Sequence, residues 1–230
     1  MNTSRAQTRE IRRPQLSEEV AGRLRASIMT GELRPGEYIR MDETAAQLGV
    51  SVTPVREALL TLRGEGLVSA VPHRGYVVAP LSRADIKDIF ALQSHLAVEL
   101  AESAAERISP EQIDTLADLN DTLRSAATPE SNSMAEFEFH RFLNHVADRP
   151  KLAWFLLQAT RYTPHLLFAA DPAWARHAVE AHDKLIAALR AGDAASVVTH
   201  TEVQFIDGAR RLIDYLDRAG MWSGGVAAGH

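Results

Sequence analysis

The sequence predicts a mainly α protein: a winged helix-turn-helix domain followed by an antiparallel all-α bundle of six helices. Three observations carry this. Strand-forming runs occur only before Pro80, where LVSAV and GYVVA flank Pro72-His73-Arg74. After Pro80, helix signals repeat with short polar breaks between them. Charge divides at the same place. Residues 1–80 hold eleven Lys+Arg against nine Asp+Glu, and residues 81–230 hold fourteen against twenty-one. A net charge of −5 therefore averages over a basic-leaning module and an acidic one, with different partners expected for each.

Taken in order, residues 1–14 read as a polar, arginine-bearing arm. The winged helix-turn-helix domain is expected over 15–80. Leu16, Val20, Leu24 and Ile28 recur every four residues, which predicts an amphipathic helix from Leu16 to Met29 with Ser17 as its cap. Pro35-Gly36 turns the chain into a short extended segment. A short helix over 42–49 turns Ala45, Ala46 and Leu48 inward and stops at Gly49. The next helix is capped by Ser51 or Thr53, tolerates Pro54 in its first turn, and buries Val55, Leu59 and Leu62. The two β runs then form a hairpin with a basic tip.

The bundle is expected over 81–220, before a tail at 221–230. Its helices run from Ser82 to about Arg107, from Pro110 to about Ser125, and from about Met134 to Ala147. The others run from Pro150 to about Phe168, from Pro172 to about Arg190, and from Asp193 to about Ala219. Ser109-Pro110-Glu111-Gln112 is a capping box with proline at the first helical position. ATPESNS reads as a loop.

Several function classes are excluded. There is no cysteine, so disulfides, thiolate chemistry and cysteine-based zinc sites are out. No apolar run approaches the roughly 20 residues that span a bilayer. The amino terminus lacks the apolar core of a secretory signal. A cytoplasmic protein without membrane association is expected.

In the first module, the helix at Thr53 can point its amino-terminal end into a major groove. Thr53 and Arg56 lie on its polar face, and arginine suits the two acceptors of a guanine edge. Ser51 stands at the same end, where free N–H groups favour a phosphate. Arg34, Arg40 and Arg74 can neutralise further phosphates, and His73-Arg74 can reach a minor groove. The segment LRPGEYIRMDETAAQLGVSVTPVREALLTLRGEGLVSAVPHRGYVV strongly resembles the winged-helix domain of the GntR family of bacterial transcription regulators. That resemblance implies Thr53, Arg56, His73, Arg74 and Gly75 as DNA contacts. Val52 stands where the family usually has Arg.

In the second module, eight of nine histidines are gathered. Glu136 and His140 are one helical turn apart on one face, and His182 and His200 lie on the last two helices. A carboxylate and imidazoles converging inside a bundle can hold a divalent metal. Against this, Ser133-Met134-Ala135-Glu136 reads as a capping box that would use the Glu136 carboxylate locally.

FEFHRFLNHVADRPKL and AHDKLIAALRAGDAASVVTH are similar to the FCD ligand-binding domain of FadR-type GntR regulators, here in a shorter six-helix form. That resemblance implies a zinc, nickel or manganese site completed by an organic acid. Glu136 replaces the family's Asp, and His140 and His182 match. The last His falls on Gln204, with His200 one turn earlier on the same face. Gln93 replaces an Arg that usually lies near the effector, so Gln93 and Gln204 are the expected effector contacts. Either His200 substitutes as ligand, or metal binds weakly, or the effector binds without metal.

The expected function is a homodimeric regulator, in the sense of a repressor, on palindromic double-stranded DNA, controlled by a small carboxylate. It is not an enzyme. A metal sensor without organic effector is the alternative. A metal-dependent hydrolase is the remote one, because no general base stands beside the cluster.

Overall fold

The computed structural model describes residues 13–72 and 74–222. The amino-terminal arm through residue 12, the tail from 223 and the expected contact at His73 lie outside the described residues. Chain contacts divide into two compact units at Leu81–Ser82.

In the first unit, α1 spans Arg13–Met29, β1 Tyr38–Ile39, α2 Met41–Leu48 and α3 Val52–Gly64. The hairpin strands follow, β2 at Val68–Val71 and β3 at Gly75–Val78. Helix α1 begins earlier than expected. Pro14 occupies its first turn, where a missing N–H costs nothing, and Ser17 is therefore inside the helix rather than its cap. The sheet is antiparallel, ordered β1-β3-β2, with Tyr38 opposite Val77 and Ser69 opposite Val77 from the other side. Val20, Leu24 and Ile28 of α1 are buried with Val55, Leu59 and Leu62 of α3 and with Val68, Tyr76 and Val78 of the sheet. In α2 the buried pair is Thr44 and Ala45. Ala46, expected inward, is exposed.

Helix α1 is tied to the end of α3 by a buried ion pair. Arg25 Nε donates to Glu65 Oε2 at 2.8 Å and Nη2 to Oε1 at 2.6 Å. The Arg25 side chain is 2% exposed. A bidentate geometry of this kind satisfies both planar groups at once.

The second unit is all helical: α4 Arg83–Ala105, α5 Pro110–Ser125, α6 Pro129–Val146, α7 Pro150–Ala159, α8 His165–Ala169, α9 Pro172–Ala191 and α10 Ala194–Arg218. Ser82 and Ser109 close capping boxes, and Asp171 and Asp193 cap α9 and α10. Two expectations change. Helix α6 starts at Pro129, not Met134, because Thr128 caps it and Pro129 sits at its first position. The ATPESNS loop is thus partly helix, and the expected Ser133–Glu136 capping box does not form. The helix expected from Pro150 to Phe168 is interrupted. It ends at Ala159, passes through a 3-10 turn at Thr160–Tyr162, and resumes as α8. Pro164 cannot donate, and Thr163 before it adopts extended backbone (φ −89°, ψ 123°). Leu100, Leu116, Phe139, Leu143, Leu185, Leu189 and Val197 form the core between these helices.

Candidate functional site

The first unit presents a surface. Val55 and Leu59 are fully buried, which turns the opposite face of α3 outward. Ser51, Thr53 and Arg56 are exposed there. Ser51 is the N-cap residue but makes no side-chain capping bond, so the first N–H groups of α3 are left for another acceptor. Arg56 forms no ion pair among the described residues. Arg40 is exposed and pairs with Glu43 at 3.0 Å. Arg34 is exposed, and its backbone N–H donates to Glu37 Oε2 at 2.7 Å. Arg74 is exposed at the hairpin turn. Gly75 has φ 93°, and a Cβ there would lie 3.5 Å from the Ile39 carbonyl, so its identity is set by the turn.

The second unit holds a cavity of about 870 Å³. Glu136 and His140 of α6 line it, and the fully buried His182 of α9 meets them there. Their ligand atoms all lie within 4.8 Å of one another. His140 Nε2 is 3.3 Å from Glu136 Oε1, and His182 Nε2 is 3.3 Å from His140 Nε2 and 3.7 Å from Glu136 Oε1. With α6 starting at Pro129, Glu136 sits well inside its helix and its carboxylate faces this cluster.

Hydrogen bonding fixes the state of His182. Asn120 Nδ2 donates to the Val179 carbonyl at 3.1 Å and to Asp183 Oδ1 at 2.8 Å. Its Oδ1 is therefore the atom facing His182 Nδ1 at 3.1 Å, and Nδ1 must carry the proton. His182 Nε2 is then unprotonated and turns its lone pair to the cluster. The Phe139 ring stacks on His182 at 3.7 Å and holds its plane. Burial pushes His182 down to about 4, so the imidazole is neutral at physiological pH. Burial alone would raise Glu136, but His182 and His140 beside it prevail and bring it down to about 2. Glu136 Oε2 is buried without a hydrogen-bond partner. A carboxylate with one orphaned oxygen and two imidazoles are the donor set of an open divalent-metal site, so these residues fit such an ion.

Gln204 of α10 completes the convergence. Its Nε2 lies 3.2 Å from His182 Nε2, 3.3 Å from His140 Nε2 and 3.5 Å from Glu136 Oε1. His200 is neither in this cluster nor in the cavity wall. Of the two residues on that face of α10, Gln204 is the one that arrives. Gln93 lines the cavity at 1% exposure. Its Nε2 donates to the Ala159 carbonyl at 2.9 Å, and its Oε1 accepts from Thr163 at 3.1 Å.

Asn120 and His165 were not singled out from sequence. Asn120 has a readable signal: it interrupts the stripe Ile113, Leu116, Leu123, a polar residue at a core position. His165, exposed to solvent, lines the cavity and donates from Nε2 to the Thr160 carbonyl at 3.0 Å. His177 instead pairs with Asp207 at 2.9 Å.

Comparison with known proteins follows the same division. Residues 16–78 match the family described as bacterial regulatory proteins, gntR family, and residues 88–203 match the FCD domain. The HTH-type transcriptional regulator McbR of Escherichia coli K12 is 29% identical over 195 residues, covering 81% of this chain and 87% of its own. The solved structure of E. coli McbR/YncC is similar with a TM-score of 0.63 and 26% identity, over 86% of this chain and 97% of that one. The HTH-type transcriptional repressor GlaR of E. coli K12 is 35% identical over 95 residues, covering 41% of this chain and 43% of its own.

Proposed function

Because the chain belongs to the GntR family of bacterial transcription regulators, with an FCD domain as its second unit, we propose that it is a repressor whose grip on a palindromic operator is set by a small organic acid and a divalent cation in the bundle cavity. It is a DNA-binding transcription regulator, and its relatives are regulators rather than enzymes.

The observation that carries the proposal is the Glu136–His140–His182 cluster with its unprotonated His182 Nε2 and orphaned Glu136 Oε2. A divalent cation, when bound, supplies positive charge and an open coordination position there. Glu136 and the two imidazoles hold it, Asn120 fixes the His182 tautomer, and Gln204 contributes an amide at the same point. An acid that prefers one arrangement of the bundle shifts the population of DNA-competent molecules by its difference in affinity for the two states.

On the DNA, Arg56 and Thr53 read base edges while Ser51, Arg34, Arg40, Arg74 and the α3 amino terminus hold phosphates. A homodimer matches twofold operator symmetry. Leu92 on α4 and Phe155 on α7, each 55% exposed, suit a contact between copies. Among the described residues no helix is long and apolar enough to cross a membrane, and a regulator of bacterial DNA works in the cytoplasm.

Two measurements test this. His140→Ala with His182→Ala should remove stoichiometric divalent metal; equal metal in variant and wild type by elemental analysis would overturn the site. Arg56→Ala should cost about 1–3 kcal/mol in operator affinity while leaving the dimer intact. Unchanged affinity at physiological salt would remove α3 as the reading helix. Titration with metals and then carboxylates separates acid control from a metal sensor that needs no acid.

A further inference from the structure

The cavity extends well beyond the metal cluster. A water molecule's share of liquid volume is about 30 Å³, so a two- or three-carbon acid would fill a small part of about 870 Å³. The remaining wall is largely apolar, with Phe90, Phe168 and Trp174 inside and Phe137, Leu157 and Leu166 exposed at the mouth.

Charge is distributed unevenly over that wall. Glu130, Arg141, Asp148 and Arg149 also line the cavity, but all four are exposed. Arg141 is paired with Glu138 and Arg149 with Glu99. Glu136 is thus the one charged lining residue that is not exposed. Gln93, the most buried polar group of the wall, has its amide engaged by Ala159 and Thr163. The interior therefore has one point where an anion can be held, through a cation at Glu136, His140 and His182. It has no second inward cation for another carboxylate or a phosphate.

Resting on the reading that places an acid at this cluster, we propose that the effector is a monocarboxylate with a bulky apolar body, of the medium-chain acyl or aromatic kind. Its head group sits at the cluster, and its body runs along Phe90, Phe168 and Trp174 toward the mouth. Burying that body against apolar wall is favourable in proportion to the area removed from water. A second charged group on the same body would be buried without a partner.

The test uses the zinc-loaded full chain and follows the fluorescence of Trp154 and Trp174, which both line the cavity. Acetate, hexanoate, decanoate, decanedioate and decanol are titrated in turn. Affinity should rise by about fourfold per methylene from hexanoate to decanoate. Decanedioate and decanol should each bind at least tenfold more weakly than decanoate by this criterion of one charge and one apolar body. Leu157→Glu at the exposed mouth should weaken decanoate and leave acetate unchanged. Acids that bind in a His140- and His182-dependent way with no gain along the series, or with decanedioate or decanol equal to decanoate, would overturn this inference alone. Acids that bind no differently to the His140→Ala, His182→Ala variant would overturn the cluster reading and the inference with it.

Discussion

Each unit buries a polar constellation, and the two are finished differently. In the DNA-reading unit, Arg25 and Glu65 meet in a bidentate pair, and the guanidinium is 2% exposed. In the bundle, Glu136, His140, His182 and Gln204 crowd one point, and Glu136 Oε2 has no partner. Buried polar groups are costly unless matched. A complete match holds α1 to α3. The incomplete one lies at the wall of a cavity, where the proposed cation would complete it.

The strongest way to break this contrast is to remove one partner from each constellation. Arg25→Ala strands the Glu65 carboxylate, and losing one member of a buried pair costs about 3–5 kcal/mol. The thermal transition of the first unit should fall steeply while that of the bundle stays in place. Arg25→Met with Glu65→Leu should recover most of the loss, since apolar residues of similar volume replace buried pairs well. Glu136→Gln should change bundle stability by only about 1 kcal/mol, the scale of one hydrogen bond, while abolishing metal binding. Calorimetry of the three variants decides; a Glu136→Gln loss equal to that of Arg25→Ala would end the comparison.

A smaller effect sharpens it. Asn120 never meets the cavity, yet it sets which nitrogen of His182 faces the cluster. Residues that orient a ligand in this way are typically worth 10–100-fold in metal affinity. Asn120→Ala should weaken zinc by that factor in competition with a chelating dye. The nitrogen NMR signature of His182 should show loss of its fixed Nδ1–H tautomer. Unchanged tautomer and affinity would make Asn120 a packing residue only.

How much of this was readable depended on whether the deciding physics was local. The caps at Ser82, Ser109, Asp171 and Asp193 and the exposed Thr53–Arg56 face follow from neighbouring residues, and so does the one-turn spacing of Glu136 and His140. The break at Pro164 was also written locally, but the apolar stretches on either side, Leu152–Leu157 and Leu166–Phe168, mask it. Thr128-Pro129 likewise carries a helix start inside a segment polar enough to resemble a loop. His200 and Gln204 are different. Both lie on one face of α10, and which of them reaches the cluster depends on the axial offset of α10 against α9, a tertiary quantity that periodicity does not encode. Asn120 was legible as a polar residue in an apolar stripe, but its partner was not, because His182 is 62 residues away.

The smallest effects compare one glycine from each unit. Gly49 ends α2 at φ 66° with open space where a Cβ would go. Its requirement is conformational, and Gly49→Ala should cost about 1 kcal/mol because an L-residue is strained in the left-handed region. Gly208 lies inside α10 with ordinary helical backbone, but a Cβ there would come within 2.7 Å of Phe90 Cε1. Its requirement is spatial. Gly208→Ala gains about 1 kcal/mol of helix propensity, and the Phe90 ring can yield only by moving, at a point where both residues line the cavity. Stability should then change little while the capacity of the cavity for a bulky ligand falls. Urea titration of both variants, with decanoate binding measured on Gly208→Ala, tests the pair. If Gly208→Ala keeps full decanoate affinity, the Phe90 end of the cavity takes no part in holding the ligand body, and the wall that matters lies at Phe168 and Trp174.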